Sequence, residues 1–327
     1  MAGTARIAPR RLLAGLAVAA LLAGCGASGG SSGSGTGAGS TAPPLPNSAS
    51  VARSRASHVV TIVMENEEST GVLGGSQAPY IQGLARRYGL ATQSYAIRHP
   101  SLPNYLALTS GSTHGISSDC TSCSVAAPNL VDQLTAHGIP WAAYLEDLPR
   151  PCFAGAGAGE YAKRHNPFAY YADVAGNPSR CRHEQGFSAL TRALDRGRLP
   201  TYAWISPNLC DDMHDCSVAH GDAFLAKLVP PLLRALGPHG FLVLTWDEGS
   251  SNAGCCGTAG GGRIATIVAG PDVRRGARMS QPLDHYGVLR SVEAALGLPY
   301  LAGAANSRSG SLASLFSVPL SRLVVSR

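Results

Sequence analysis

The sequence contains no long block of consecutive basic residues and no second CxxC motif. Proteins that follow a nucleic-acid backbone need a basic stripe or patch. Here 26 Lys and Arg are scattered among 20 Asp and Glu, giving a formal net charge of +6. We therefore expect no nucleic-acid partner. The single CxxC at Cys120 and Cys123 is a weak zinc signal, because a second CxxC is needed to complete a four-thiolate site.

Near its N-terminus the sequence lacks an apolar run long enough to span a bilayer comfortably. Three arginines precede a short apolar run at 12–23, a pattern typical of a secretory signal. The run ends in Leu22-Ala23-Gly24-Cys25, which resembles the bacterial lipobox. We interpret residues 1–24 as a lipoprotein signal peptide and Cys25 as the lipidated residue. The protein would then be exported and anchored to the outer face of the cell membrane, from which it can be shed. An ordinary signal peptide with an incidental cysteine is the alternative.

Residues 25–55 have little that could build a core, being mostly Gly, Ser, Ala, Thr and Pro. Such a composition behaves as a flexible tether. The sequence shows no internal repeat, and we assign residues 56–327 to one catalytic domain.

Eight cysteines remain once Cys25 is set aside, and an even number in an exported protein indicates disulfides. Neighbours in sequence suggest the pairs Cys120–Cys123, Cys152–Cys181 and Cys210–Cys216. Cys255 and Cys256 then remain, either as a vicinal pair or exchanged with the others.

Apolar runs alternate with helical patterns along the rest of the chain. The predicted strands are 59–64, 91–97, 141–145, 201–205, 241–246 and 264–269. The predicted helices are 80–88, 104–109, 130–137, 187–196, 222–236 and 286–296, with Pro230 and Pro231 expected to bend the fifth. This alternation indicates an α/β fold, a three-layer sandwich with a mostly parallel central sheet.

Polar residues follow four of these strands, where parallel sheets bind ligands. They are Glu65-Asn66 after the first strand, Ser101 after the second, the loop 206–215 after the fourth and Asp247-Glu248 after the fifth. The oxygens of Glu65, Asn66, Ser101, Asp247 and Glu248 could together enclose one divalent cation.

Ser101 lies at a predicted strand-to-helix turn, where free N–H groups favour negative charge. That position suits a nucleophile, although an N-capping serine is the alternative. His214, in a loop rich in aspartate, is a candidate proton donor. His114, shortly after the Ser101 helix, could return to the site.

Five ordered blocks resemble the bacterial and fungal phosphoesterase family, which includes acid phosphatases and phospholipases C and has an alkaline-phosphatase-like fold. The blocks are HVVTIVMEN, SLPNYLALTSG, SPNLCDDMHDC, TWDEG and HYGVLRSVEAALGLP. They run from about residue 58 to 300. The short chain resembles the acid phosphatase branch more than the longer phospholipases.

The resemblance implies metal-binding roles for Glu65, Asn66, Asp247 and Glu248, and a nucleophilic role for Ser101. It places His214 and Asp212 beside the phosphate, and we add Asn104 and His114 as substrate contacts. Relatives with two zinc ions have a further histidine near positions 260–262. This sequence has three glycines there, so we expect one metal ion.

The expected function is acid-phosphatase-like hydrolysis of a phosphate monoester through a phosphoserine at Ser101. One alternative is a phosphodiesterase or phospholipase C, with the insertion 152–181 shaping the mouth of the site. Another is a surface lipoprotein that binds phosphorylated ligands without turnover. The expected substrate is a phosphorylated small molecule or a phospholipid.

Overall fold

The computed structural model describes residues 44–323, and the main chain is organised around a nine-stranded mixed sheet. The predicted signal peptide, Cys25 and the tether up to residue 43 lie outside the described residues. The strands are β1 Val59–Met64, β2 Gly89–Tyr95, β3 Trp141–Leu145, β4 Gly157–Ala158, β5 Tyr161–Ala162, β6 Glu184–Gln185, β7 Tyr202–Ser206, β8 Phe241–Trp246, β9 Arg263–Ala269, β10 Arg278–Met279 and β11 Leu283–Asp284.

The sheet order is β10-β2-β9-β8-β1-β7-β3-β6, with β11 also paired to β2. β9 runs antiparallel to both of its neighbours, and the other pairings within this sheet are parallel. The mostly parallel sheet is therefore confirmed. β4 and β5 form a separate antiparallel pair in the insertion after β3.

The α-helices are α1 Ser69–Gly74, α2 Pro79–Arg87, α3 Ser101–Ser110, α4 Leu130–Ala136, α5 Ala172–Ala175, α6 Pro178–Cys181, α7 Phe187–Asp195, α8 Val218–Ala235 and α9 His285–Leu296. α8 begins four residues before its predicted start and continues through Pro230 and Pro231. The sequence analysis did not predict the short elements, because two to six residues show no clear periodicity; they are α1, α5, α6, β4, β5, β6, β10 and β11.

Side chains of β1 alternate between the two faces of the sheet and show why the fold has three layers. Val59 and Val63 pack in one core with residues of α3, α4 and α9. Val60, Ile62 and Met64 pack in the other with residues of α2, α7 and α8. Because both faces are covered, the strand is a continuous apolar run rather than an alternating one.

Residues 44–55, the last part of the predicted tether, pack onto this body. Val51 is buried in the core that contains α8, and the Arg234 side chain donates a hydrogen bond to its carbonyl oxygen. The folded part therefore begins before residue 56.

The four disulfides join Cys120 to Cys123, Cys152 to Cys181, Cys210 to Cys216 and Cys255 to Cys256. The three pairs suggested by sequence proximity are confirmed, and the last two cysteines form the vicinal pair. Disulfides are typical of exported proteins. Among the described residues, no helix combines the length and apolar character needed to cross a membrane.

The carboxyl group of Glu293 on α9 is buried in the core, where burial favours its protonated form. Its Oε1 accepts a hydrogen bond of 2.9 Å from the Leu301 N–H, and its buried Oε2 has no partner among residues 44–323. Burial raises the pKa of Glu293 to about 8, and the Leu301 N–H and the Arg290 charge offset this only in part.

We expect Glu293 to make the protein less stable as the pH rises from about 5 to 8. In that window the folded protein keeps a proton that the unfolded chain releases, so unfolding becomes more favourable. Glu293→Gln should remove this component, worth on the order of 3 kcal/mol at most. Urea unfolding of both proteins at the two pH values measures the difference. Equal pH dependence of wild type and variant would show that Glu293 ionises normally.

Candidate active site

Two neighbouring strands deliver two buried carboxylates to the same level of the sheet. β1 and β8 are parallel, and their last residues, Met64 and Trp246, are directly paired. The next residues are Glu65 and Asp247, which are both fully buried. The register therefore places the two acids side by side, as the sequence predicted.

Glu65 is held by two residues of α3. The Ser101 hydroxyl donates a hydrogen bond of 3.0 Å to Glu65 Oε2, and the Tyr105 hydroxyl donates to Oε1. Residues four apart lie on the same face of a helix, so α3 presents both hydroxyls together. Ser101 is the first residue of α3, and Pro100 is the N-cap. The alternative that Ser101 serves only as an N-cap is therefore wrong.

His165 lies between two carboxylates. Its Nε2 is 3.2 Å from Glu65 Oε2 and its Nδ1 is 3.1 Å from Asp212 Oδ2. The ring stacks on Tyr105 with centroids 5.4 Å apart. Burial disfavours the charged ring, but Glu65 and Asp212 outweigh it and raise the pKa of His165 to about 10. Burial also opposes the charge on Glu65, yet the His165 cation outweighs that effect and lowers the pKa of Glu65.

Asp247 and Glu248 lie in a less compensated environment. Asp247 Oδ1 accepts a hydrogen bond of 3.0 Å from the Asn66 N–H, whereas its buried Oδ2 has no partner among the described residues. Burial, and then the charges of Glu65 and Glu248, raise the pKa of Asp247 well above its usual range. Glu248 Oε2 is 2.7 Å from His99 Nδ1. Burial raises the pKa of Glu248 to about 7 despite that histidine.

These carboxylates fit a bound divalent cation. Three acids, Glu65, Asp247 and Glu248, are more than nine-tenths buried and repel one another, and one oxygen of Asp247 lacks a partner. Hard oxygen donors of this kind suit magnesium, calcium or manganese.

A second donor set combines Glu65 with two imidazoles. One ligand atom from each of Glu65, His165 and His214 lies within 4.8 Å of the others. Because both nitrogens of His165 face carboxylates, the oxygen set fits a cation better.

His214 reaches the site, but its nitrogens are already engaged. Nδ1 is 2.6 Å from Asp215 Oδ1, and Nε2 accepts a hydrogen bond of 2.9 Å from the Arg164 guanidinium. In this arrangement Nε2 is the acceptor for Arg164, and the role of His214 as a proton donor stays a prediction. Arg164 Nε is also 3.7 Å from Asp119 Oδ2, and Asp119 Oδ1 accepts a hydrogen bond from the Leu102 N–H at the start of α3.

Two of the predicted substrate contacts serve other purposes. Asn104 Oδ1 accepts hydrogen bonds from the N–H groups of Ile97 and Arg98, and its Nδ2 donates to the carbonyls of Arg98 and Pro100. Asn104 therefore fixes the turn that precedes Ser101 and has no polar atom left for substrate.

His114 bonds to the Ser110 hydroxyl at the end of α3. That position is about 13 Å along the helix axis from Ser101, which removes His114 from the site.

Asp212 is near the site but does not offer a free carboxylate. Its Oδ2 pairs with His165 and its Oδ1 accepts a hydrogen bond from the His214 N–H. Burial raises the pKa of Asp212 to about 6, against the opposing effect of His165. Asp212 therefore lies against His165, and its contact with substrate stays a prediction.

The sequence interpretation missed several residues around the site. They are Tyr105, Asp119, Arg164 and His165. Arg164 and His165 lie in the insertion 152–181, which the sequence analysis placed at the mouth of the site, and the run Lys163-Arg164-His165 was the available signal.

The model of the phosphoesterase family matches residues 55–299. A phosphatidylinositol-3-phosphatase of Mycobacterium tuberculosis is 35% identical over 263 residues, covering 79% of this chain and 83% of that protein. An acid phosphatase of Aspergillus fumigatus is 31% identical over 231 residues, covering 67% of this chain and 50% of that protein. This chain therefore matches about half the length of the fungal relative.

Solved structures show a similar fold at low identity. The lipoteichoic acid synthase LtaP of Listeria monocytogenes superimposes with a TM-score of 0.55 at 11% identity, covering 84% of this chain and 80% of that chain. A Vibrio parahaemolyticus protein of the alkaline phosphatase superfamily gives a TM-score of 0.51 at 12% identity, covering 76% of this chain and 68% of that chain. The expected alkaline-phosphatase-like fold is confirmed.

We expect Asn104→Ala and His114→Ala to have opposite outcomes. Loss of the Asn104 hydrogen bonds should release the turn before Ser101 and lower turnover of a chromogenic phosphomonoester about a hundredfold. It should also destabilise the fold by about 2–4 kcal/mol. His114→Ala should leave turnover within about twofold, since His114 is one helix length away.

Steady-state kinetics and urea unfolding measure both effects, with Asn104→Asp as a variant that keeps the acceptor oxygen. A fully active Asn104→Ala protein, or an inactive and folded His114→Ala protein, would contradict these assignments.

Proposed function

This chain belongs to the phosphoesterase family, and we propose that it is a metal-dependent phosphomonoesterase with Ser101 as its nucleophile. The chain is a hydrolase of phosphate esters, of the acid phosphatase type. One observation carries the finer proposal. Ser101 is the first residue of α3, and its hydroxyl donates a hydrogen bond to the buried Glu65. Glu65 follows β1, and Asp247 follows the neighbouring strand β8.

Ser101 attacks the phosphorus atom in line with the departing alcohol. The Ser101 hydroxyl donates its proton to Glu65 Oε2, so the lone pairs of the Ser101 oxygen point away from Glu65. A bond forms between Oγ and phosphorus as the ester P–O bond breaks, and the Ser101 proton passes to Glu65 and from there, through a water molecule, to the departing alkoxide. A second water then hydrolyses the phosphoserine and frees Ser101.

Glu65, Asn66, Ser101, Asp247 and Glu248 would hold the cation. When bound, a divalent ion offsets the carboxylate charges, lowers the pKa of the serine hydroxyl and screens the phosphate charge.

Two histidines position these ligands. His165 fixes the carboxylate of Glu65, and His99 fixes that of Glu248. Asp212 holds the His165 ring from its other side. Such supporting partners set the orientation of the groups that act directly.

Arg164 supplies the cationic group for the equatorial phosphate oxygens. Its guanidinium is a quarter exposed and bonds only to His214 and Asp119 among the described side chains. A phosphate can replace Asp119 as its partner, because guanidinium and phosphate form paired hydrogen bonds. His214 then helps to orient Arg164 rather than protonating the leaving group.

A phosphomonoester is the preferred substrate in this proposal. The relative with 35% identity is named a phosphatase that acts on a phosphoinositide monophosphate, and the shorter match is to an acid phosphatase. A phosphodiesterase or phospholipase C remains the second candidate. The insertion 152–181 contributes Arg164 and His165 to the site, whereas its Tyr161, Phe168 and Tyr170 are buried in the core.

We also propose that the protein is exported and held at the membrane through Cys25. The four disulfides agree with export. The substrate would then be met outside the cytoplasm.

Ser101→Ala should lower turnover of p-nitrophenyl phosphate at least about a thousandfold, because the substitution removes the oxygen that attacks phosphorus. The wild type should hydrolyse this monoester faster than bis(p-nitrophenyl) phosphate. Acid quenching with labelled substrate should place the label on Ser101 of the wild type.

Ser110→Ala, on the same helix, is the matched control and should keep turnover within about twofold. Wild-type turnover in Ser101→Ala would remove the nucleophile from the proposal. Faster diester hydrolysis by the wild type would favour the second candidate.

Removal of divalent ions with a chelator should abolish activity and lower the thermal midpoint, since the buried carboxylates then repel one another. Elemental analysis should find one ion per chain in the active protein. Asp247→Asn should bind the ion less tightly and be inactive. Full activity of protein that contains no measurable metal would exclude the cation.

A further inference from the structure

Eight exposed arginines lie together at the amino edge of the sheet, opposite the site. Each is in a segment that precedes a parallel strand or follows the antiparallel β9, and all eight are exposed. We call them the arginine face: Arg53, Arg55, Arg86, Arg87, Arg234, Arg274, Arg275 and Arg278.

The topology explains why they gather. Arg86 and Arg87 end α2 just before β2, and Arg234 ends α8 just before β8. Arg53 and Arg55 precede β1. β9 ends at this edge because it is antiparallel, so the loop that carries Arg274 and Arg275 lies here too.

Hydrogen bonds join these segments into one surface. The Arg87 carbonyl accepts a hydrogen bond of 3.2 Å from the Gly276 N–H, and the Arg278 guanidinium reaches the Tyr88 carbonyl at 3.5 Å. The Arg234 side chain donates to the Val51 carbonyl. A cavity of 860 Å³ opens on this surface and is lined by four of the arginines, Arg53, Arg55, Arg87 and Arg234.

The positive charge of this face is not neutralised within residues 44–323. None of the eight arginines takes part in an ion pair there. The nearby Asp272 pairs with His239 at 2.8 Å. A basic residue in the last turn of a helix favours the helix dipole, which accounts for Arg86, Arg87 and Arg234. It does not account for the five arginines in loops and at the start of β10.

Acidic residues collect at the other edge. They are Glu65, Glu67, Glu68, Asp119, Glu146, Asp147, Asp211, Asp212, Asp215, Asp247 and Glu248, which follow the carboxyl ends of the strands or flank α3. The molecule therefore has a basic pole and an acidic pole that contains the site.

We propose that the arginine face docks on an anionic lipid surface, so that the site points away from the membrane. Charge complementarity is one argument, because clustered basic side chains bind anionic bilayers. The course of the chain is the second. Its described part begins at Pro44, and Ser48, Arg53, Ser54 and Arg55 line the cavity of the arginine face. The described part of the chain therefore begins on the side that would face the membrane.

The test is co-sedimentation of the full chain carrying Cys25→Ser, so that no acyl group is attached, with phospholipid vesicles. The arginine-face variants are Arg53→Gln/Arg55→Gln and Arg274→Gln/Arg275→Gln. The control Arg150→Gln/Arg308→Gln removes the same charge at the opposite edge of the sheet. Arg150 follows the carboxyl end of β3, and Arg308 is next to Ser309, whose carbonyl lies beside the first turn of α9. The apolar run at 12–23 is present in all of these proteins. Any binding that it causes is therefore the same for every variant and does not affect the comparison between them.

We expect binding to vesicles that contain phosphatidylglycerol but much weaker binding to pure phosphatidylcholine, with loss of binding at high salt. Each arginine-face pair should weaken binding about 25-fold, or about fivefold per arginine, and the control pair much less. Bound protein should keep its turnover of p-nitrophenyl phosphate, since the site faces the solvent.

Equal binding to both vesicle types, or an equal loss in the control pair, would overturn the proposal. A different result would also overturn it. The wild type would bind inorganic phosphate tightly, and both arginine-face double variants would lose that binding while their vesicle binding stayed unchanged. Vesicle binding is measured without substrate, so these outcomes are independent of whether the protein is a phosphomonoesterase.

Discussion

The structure depends on negative charge buried where two neighbouring strands end. The register of β1 and β8 sets Glu65 beside Asp247, and neither side chain is exposed. A buried carboxylate is costly unless it is paired or bound to a cation. The surrounding residues meet this demand only in part. His165 compensates Glu65, whereas Asp247 keeps an oxygen without a partner among the described residues.

This constraint explains why each neighbouring element has its sequence. The α3 helix places Ser101 and Tyr105 four residues apart because both hydroxyls must reach Glu65. The side-chain amide of Asn104 makes all four of its hydrogen bonds to the backbone of the turn that precedes this helix. The insertion after β3 supplies His165, whose second nitrogen is held by Asp212 from the loop after β7. Four distant segments are thus tied to one carboxylate.

The sequence predicted the parts that follow from periodicity and chain order. Apolar runs located the long strands, and parallel connections implied that Glu65, Ser101 and Asp247 meet at one edge. What it could not give was the choice of partners. Asn104 and His114 lie in or near a matching block, yet one bonds to backbone and the other to Ser110. His165 lies in an insertion without a motif, and only the folded chain brings it to Glu65.

The same topology separates charge across the molecule. Strand carboxyl ends carry the acids, and the segments that lead into the strands carry the arginine face. A parallel sheet therefore gives the protein two poles, one for chemistry and one, as we propose, for the membrane. In our proposal a bound cation offsets the carboxylates of the acidic pole, which would otherwise repel a phosphate.

The central claim is that the carboxylates of β1 and β8 share one cation with Ser101. Anomalous diffraction from crystals grown with Mn²⁺ tests it most directly. The account predicts one strong peak enclosed by Glu65, Asp247 and Glu248 and within bonding distance of the Ser101 hydroxyl. No peak at this place, or a peak between His165 and His214 that leaves Asp247 without contact, would contradict it.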